Sequence, residues 1–91
     1  MPVSFDAGNS RLNEVERGLP FSLADDSDWS SALVVEDLRR TYEERRYQAL
    51  GMIGERLHML VFTPRGEALH VISLRRANQR ERTRYVTQIR R

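Results

Sequence analysis

Arginine is the residue type best placed to do chemistry in this chain, and it is clustered. The two richest runs are DLRRTYEERRY (37–47) and LRRANQRERTRY (74–85); the second holds five arginines and one glutamate in twelve positions. All fifteen basic residues are Arg and none is Lys. A guanidinium stays charged at any working pH and grips phosphate through two parallel hydrogen bonds, so both runs suit a polyanion. If that polyanion is RNA, cutting it without a metal requires a base for the 2′-hydroxyl, an acid for the leaving 5′-oxygen, and cations for the charge gathering on phosphorus. Arginine, with a pKa above about 12, supplies the cations and neither of the other two. The proton carriers near the clusters are Glu44, His70 and Tyr85.

Other chemistries find little support. His58 and His70 are the only histidines and there is no cysteine, so a metal-ligand set is not expected, and neither is a cofactor. No serine sits in a glycine-flanked elbow, and no phosphate-loop or dinucleotide glycine pattern occurs. His58, between Leu57 and Met59, reads as a packed core group; His70 faces away from Leu69 and Val71 and is the better functional candidate. The plain reading of an arginine run is a solvated face, and Arg90 and Arg91 suit the negative end of a terminal helix. That plain reading fits any single arginine here, whereas the cluster taken together points to function. Arginine without lysine also matches a GC-rich genome.

At 91 residues the chain suits one domain, spanning 1–91. Its net charge of +2 is unevenly spread. Residues 1–30 hold two Arg against six Asp/Glu, 31–70 hold six of each, and 71–91 hold seven Arg against Glu81 alone. Such a gradient points to an anionic partner at one end, nucleic acid first and an acidic protein second. No stretch approaches the roughly 18 apolar residues of a membrane span. The opening MPVSFDAGNS lacks a basic segment followed by an apolar run, so a cytoplasmic protein without membrane attachment is expected.

The elements that must position these residues follow from period and punctuation. PVSF (2–5) suits a short edge strand, and DAGNSRLNEVERG reads as a helix capped by Asp6, with Leu12 and Val15 at helical spacing and Gly18 ending it. SLADDSDW reads as a second short helix capped by Ser22, or as a loop. From Ala32 the period becomes strand-like: ALVVEDL, RYQALGMI, RLHMLVFT and ALHVISLR, with turns at Gly54–Glu55 and at PRGE. RLHMLVFT is apolar on both alternating sets, which predicts a central strand covered on both faces. With Leu74 in the core, Arg75 falls on the opposite sheet face. Asn78 and Glu81 stand at capping-box spacing, predicting a last helix over 79–89 whose buried face carries Tyr85 and Ile89. The expected fold is α+β: an N-terminal strand and helices, a four-stranded antiparallel meander, and a C-terminal helix.

The run VVED, followed by ERRYQALGMIGERLHMLVFTPRGEALHVISLRRANQRERTRY, resembles the BrnT family, toxins of type II toxin–antitoxin pairs similar in fold to RelE-type ribonucleases. Its specific part is the ordered series RY..LG, TPRG, ISLRRA and E...Y. The resemblance implies an endoribonuclease that cuts mRNA and slows growth. A BrnA-type antitoxin would neutralise it, the complex being a heterotetramer that binds operator DNA through the antitoxin. It also implies Glu44, Arg46, Arg65, Arg75 and Tyr85 as catalytic positions, with Arg65 and Arg75 on the scissile phosphate and Tyr85 as proton donor, base-stacking group or core residue. Arg76, Arg80, Arg84 and His70 would be RNA-binding, and Glu81 a helix cap. Where the family usually shows a lysine and a histidine in the first helix, this chain has Asn9 and Arg17. The alternative reading is therefore an attenuated or non-catalytic member that binds antitoxin or nucleic acid. A DNA-binding repressor in its own right is a third reading, without a helix-turn-helix pattern to support it.

Overall fold

The computed structural model describes residues 2–89. Strand β1 (Val3–Phe5) leads into helix α1 (Ala7–Arg17), then two 3-10 turns, Phe21–Asp26 and Trp29–Ser31. Strands β2 (Leu33–Glu36), β3 (Tyr47–Ile53), β4 (Arg56–Arg65) and β5 (Ala68–Arg76) follow, and helix α2 (Gln79–Ile89) ends the described chain. The packing expected of the Ile89 side chain and the helix-end role expected of Arg90 and Arg91 lie outside the described residues.

The antiparallel meander forms as expected from β2 to β5, but the sheet is five-stranded and mixed, in the order β1-β5-β4-β3-β2. The fifth strand is β1, which pairs parallel to β5 with Val3 opposite Leu69 and Phe5 opposite Val71. Two tight turns carry glycine where the backbone needs positive φ, Gly54 at 61° and Gly66 at 58°. The second lies later than the PRGE turn suggested, because β4 keeps its ladder through Pro64 and Arg65. Nor does SLADDSDW form one helix capped by Ser22. Its two short turns are flanked by Pro20 and Asp28, and Asp28 caps the second by accepting from the Ser30 amide.

β4 is the central strand, buried without a break from Leu57 to Thr63. On one face Ala49, Leu60, Phe62, Leu69, Val71 and Leu74 pack against Leu19, Phe21 and Ala24 from the segment after α1. On the other, Leu50, Leu57 and Met59 meet Ala77, with Leu33, Met52 and Tyr85 packed around them. α2 therefore covers one end of that second face. The rest of it is lined by the side chains of Gln48, Val61, Ser73 and Arg75.

Helix α1 docks in an unusual way. Leu12 and Val15, the apolar pair that marks the helix in the sequence, are 56% and 74% exposed, and the residues it buries are Ser10 and Asn13. Ser10 Oγ accepts from the Phe21 amide at 2.9 Å, and Asn13 Nδ2 donates to the carbonyls of Leu19 and Leu74 at 2.7 and 2.9 Å. β1 ends at Phe5, so Leu74 has no strand neighbour on that edge, and a side-chain amide takes the strand's place.

Candidate nucleic-acid interface

The open face of the sheet becomes a groove because of the loop between β2 and β3. β2 stops at Glu36, two residues earlier than ALVVEDL suggested, since Asp37 turns in to organise that loop. The Asp37 amide donates to the Arg46 carbonyl at 2.8 Å, and Thr63 Oγ1 donates to the Arg45 carbonyl at 2.7 Å, fixing the loop's return to the sheet. Its carboxylate, with no exposed side-chain surface, takes a two-armed fork from Arg39 (Nε and Nη2, both 2.8 Å) and a hydrogen bond from the Tyr42 hydroxyl at 3.1 Å. Tyr42 in turn offers its ring to Arg46, whose guanidinium carbon lies 4.4 Å from the ring centroid. The Arg46 Nε is buried and has no hydrogen-bond partner.

Across the groove stands Arg75, carried by β5 on the face opposite Leu74, as alternation predicted. Its two terminal nitrogens donate to Glu81 Oε1 and Oε2 at 2.8 and 2.7 Å. Glu81 also accepts from the Asn78 amide at 3.0 Å while its own amide donates to Asn78 Oδ1 at 2.8 Å, a reciprocal cap on α2. One carboxylate thus holds both the helix start and the groove's arginine. Arg39, Tyr42, Arg46 and Arg75 line a common depression of about 170 Å³.

The charges in the groove are firmly set. The Arg39 fork, joined by the Tyr42 hydroxyl, holds Asp37 far below the usual carboxylate range. Glu81 is lowered chiefly by its bonds from Arg75, and Arg75 and Arg39 are raised in return by their carboxylates. Both carboxylates are therefore weaker bases than an unperturbed side chain of their kind. His58, by contrast, is pushed down from its ordinary value, chiefly by burial and also by the nearby Arg76 and Arg56.

Of the residues singled out from the sequence, the structure brings Arg46 and Arg75 together. Arg65 and Glu44 form an exposed pair at 3.1 Å elsewhere, at the far end of β4. Tyr85 is half-buried against the second core cluster, and its hydroxyl donates to the Ser31 carbonyl at 3.1 Å. Of its roles, proton donor, stacking group or core residue, that geometry matches the last. His70 Nδ1 lies 3.0 Å from Ser4 Oγ across the β1–β5 pair. Arg76 is exposed on the opposite side of β5 from Arg75, and Arg80 and Arg84 are exposed on α2.

Sequence reasoning missed Asp37, Arg39 and Tyr42 as individuals, although all three lie in the first arginine run. The available signal was the pair of an acid with an arginine two residues on and a tyrosine five residues on, which only the loop's folded path turns into a hub. Asn9 and Arg17, the two departures from the family pattern, line a second depression of about 320 Å³ between α1 and β5. Ile72 and Ser73 line both depressions, so these positions adjoin the arginine groove across one strand. Arg17 Nη1 reaches the Leu74 carbonyl at 3.4 Å, one residue from Arg75.

The chain is thus an α+β protein whose mixed sheet presents a guanidinium-lined groove on one open face, a surface whose chemistry suits anions. Residues 5–81 match the model of a specific family, described as ribonuclease toxin, BrnT, of type II toxin–antitoxin systems. The chain belongs to that family. No curated protein matches it. No described helix is long and apolar enough to cross a membrane.

Proposed function

We propose that the chain is an endoribonuclease that cuts mRNA without a metal and slows growth until a BrnA-type antitoxin covers it. The observation that carries this reading is the convergence of Arg46 and Arg75, two residues of the family-like motif series, on one groove with Arg39. Arg75 and Arg46 contact the scissile phosphate, and Arg65, oriented by its pair with Glu44, contacts the strand farther out. Attack of the 2′-oxygen on phosphorus breaks the bond to the 5′-oxygen, leaving a 2′,3′-cyclic phosphate and a 5′-hydroxyl. The 2′ proton is taken up, and the 5′-oxygen protonated, by water. Glu44, His70 and Tyr85 do not line the depression that Arg46 and Arg75 share, so charge stabilisation supplies most of the acceleration. The fold reading is RelE-like, and in the heterotetramer with antitoxin the pair would bind operator DNA through the antitoxin.

The test is end-labelled RNA with purified protein, with and without chelator, alongside Arg75→Ala. Cyclic-phosphate products that persist in chelator and vanish in the variant are expected, together with slowed growth on expression without a partner. Intact RNA and normal growth with the wild-type chain would sink the enzymatic reading. They would leave the second one, an attenuated binding member, which the internal neutralisation of Arg39 and Arg75 by Asp37 and Glu81 favours.

A further inference from the structure

Three arginines outside the groove converge on another depression. Arg56, at the start of β4, Arg76, at the end of β5, and Arg82, in the second turn of α2, line a cavity of about 250 Å³ at the sheet's end, with Glu55, Leu57 and Ala77. None of the three has a carboxylate within salt-bridge distance among the described residues, whereas Arg39 and Arg75 each do. Glu55 also lines the cavity and has no ion pair among the described residues. Arg82 is also held in place, donating to the Ala77 carbonyl at 3.0 Å and to Gln79 Oε1 at 2.7 Å. The Ala77 amide donates to the Leu57 carbonyl at 3.0 Å, so the floor between β4 and α2 is fixed as well.

Position relates this cavity to the groove. Arg75 and Arg76 are consecutive on an extended strand and project to opposite sides. Arg75 meets the first turn of α2 from one side through Glu81, and Arg82 leaves the second turn toward the cavity. The start of α2 therefore stands between two guanidinium clusters, one in which Arg39 and Arg75 are paired with carboxylates and one with no such pair among the described residues.

We propose that the Arg56, Arg76 and Arg82 cavity is a second phosphate site that holds a flanking backbone phosphate of single-stranded RNA whose scissile phosphate lies in the groove. This rests on the ribonuclease reading and adds the strand's path, across the N-terminal turns of α2. A polyanion is chosen over an acidic protein segment because three guanidiniums without a carboxylate partner among the described residues converge on this small cavity, one of them, Arg82, already held in place, and because it lies across the start of α2 from the arginine groove; Leu57 and Ala77 form its apolar floor. The unneutralised site draws the strand in, and the paired groove then receives its neighbouring phosphate.

The experiment measures binding of a 2′-deoxy-substituted, uncleavable oligonucleotide across a salt series, for the wild type, Arg56→Gln with Arg82→Gln, and Arg56→Lys with Arg82→Lys. Each lost phosphate contact lowers the slope of log affinity against log salt by about 0.7 for a single strand. The glutamine variant is expected to lose up to about 0.7 in slope with its one phosphate, and to bind several-fold more weakly. The lysine variant keeps the charge and should recover the slope. An unchanged slope in the glutamine variant, while the wild type binds RNA, overturns the second site alone. Should that variant instead lose antitoxin affinity and keep RNA affinity, the cavity is a protein-docking surface and the proposal is likewise overturned. A wild-type chain that neither binds nor cuts RNA removes the parent reading and this one with it.

Discussion

Asp37→Ala should unfasten the loop that makes the groove. The carboxylate is fully covered, yet its Arg39 partner is 64% exposed, so water can replace that half of the fork. An exposed ion pair of this kind contributes about 0.2–1 kcal/mol. The Tyr42 hydroxyl and the Arg39 amide, which donates at 3.2 Å, lose a charged acceptor in a partly buried setting. With about 1.5 kcal/mol for those two together, the total loss is roughly 2 kcal/mol. For a domain this small that lowers Tm by about 8–16 °C. Arg46 loses its anchored aromatic platform at the same time, so affinity for an uncleavable RNA strand should fall several-fold. Thermal melts followed by circular dichroism at neutral pH, with anisotropy for binding, check both. Because folding depresses the Asp37 pKa, its contribution is complete above the unfolded value of 3.8 and is lost as pH falls toward the folded one. Wild-type and variant melting curves should therefore converge in strong acid. A variant that melts like the wild type at neutral pH and binds RNA equally well would refute the claim that this carboxylate organises the loop.

The second carboxylate gives a related outcome. Glu81→Gln retains a cap on the Asn78 amide but removes the charge opposite Arg75, so it should cost about 1 kcal/mol at neutral pH. Its loss of stability should shrink below pH 4.5, since the Glu81 pKa is also depressed by folding and its contribution fades as pH falls; a pH series of melts reads this directly. Tyr85→Phe should cost about 1 kcal/mol through the orphaned Ser31 carbonyl bond and leave cleavage nearly unchanged; a large loss of rate at unchanged Tm would return Tyr85 to the chemistry. Asn9→Lys with Arg17→His should raise single-turnover cleavage tenfold or more, about 1.4 kcal/mol of barrier, if those positions supply a cation and a proton carrier beside Arg75. Equal rates would detach the first helix from catalysis.

What the sequence disclosed depended on how local each feature is. The β4 core was legible because both alternating sets of RLHMLVFT are apolar, and the caps of α1 and α2 because Asp6, Gly18, Asn78 and Glu81 act within one turn of their own position. The parallel pairing of β1 was not legible, since nothing within three residues says which distant edge they meet. The docking of α1 was hidden for a different reason: apolar period finds Leu12 and Val15, which face solvent, while Ser10 and Asn13 hold the helix by satisfying backbone groups far along the chain. In the groove, the arginine runs announced an anionic ligand, but pairing within them is tertiary. Glu81 was readable as a cap from its spacing to Asn78. Its second grip, on Arg75, required β5 and α2 to be placed together.

That double duty bears on how such a groove could favour reaction over mere binding. An entering phosphodiester carries one negative charge, as does the Glu81 carboxylate that Arg75 already holds. Exchanging one for the other therefore offers Arg75 little in the ground state. On the proposed reaction, the phosphorane formed by 2′-oxygen attack would carry a second negative charge, and only then would the guanidinium prefer the RNA clearly to its own glutamate. Arg75 would thus contribute more to the transition state than to substrate affinity, the condition under which a contact accelerates a step. Glu81 Oε1 accepts from both Arg75 Nη1 and the Asn78 amide, so the amide bond would remain once the fork opened, and the separate bond from the Glu81 amide to Asn78 Oδ1 would hold the helix start in either case. On the proposed reading the helix start would stay formed through such an exchange, so the cation would be redirected on a rigid frame while the loop across the groove, held by Asp37, kept Arg46 beside it.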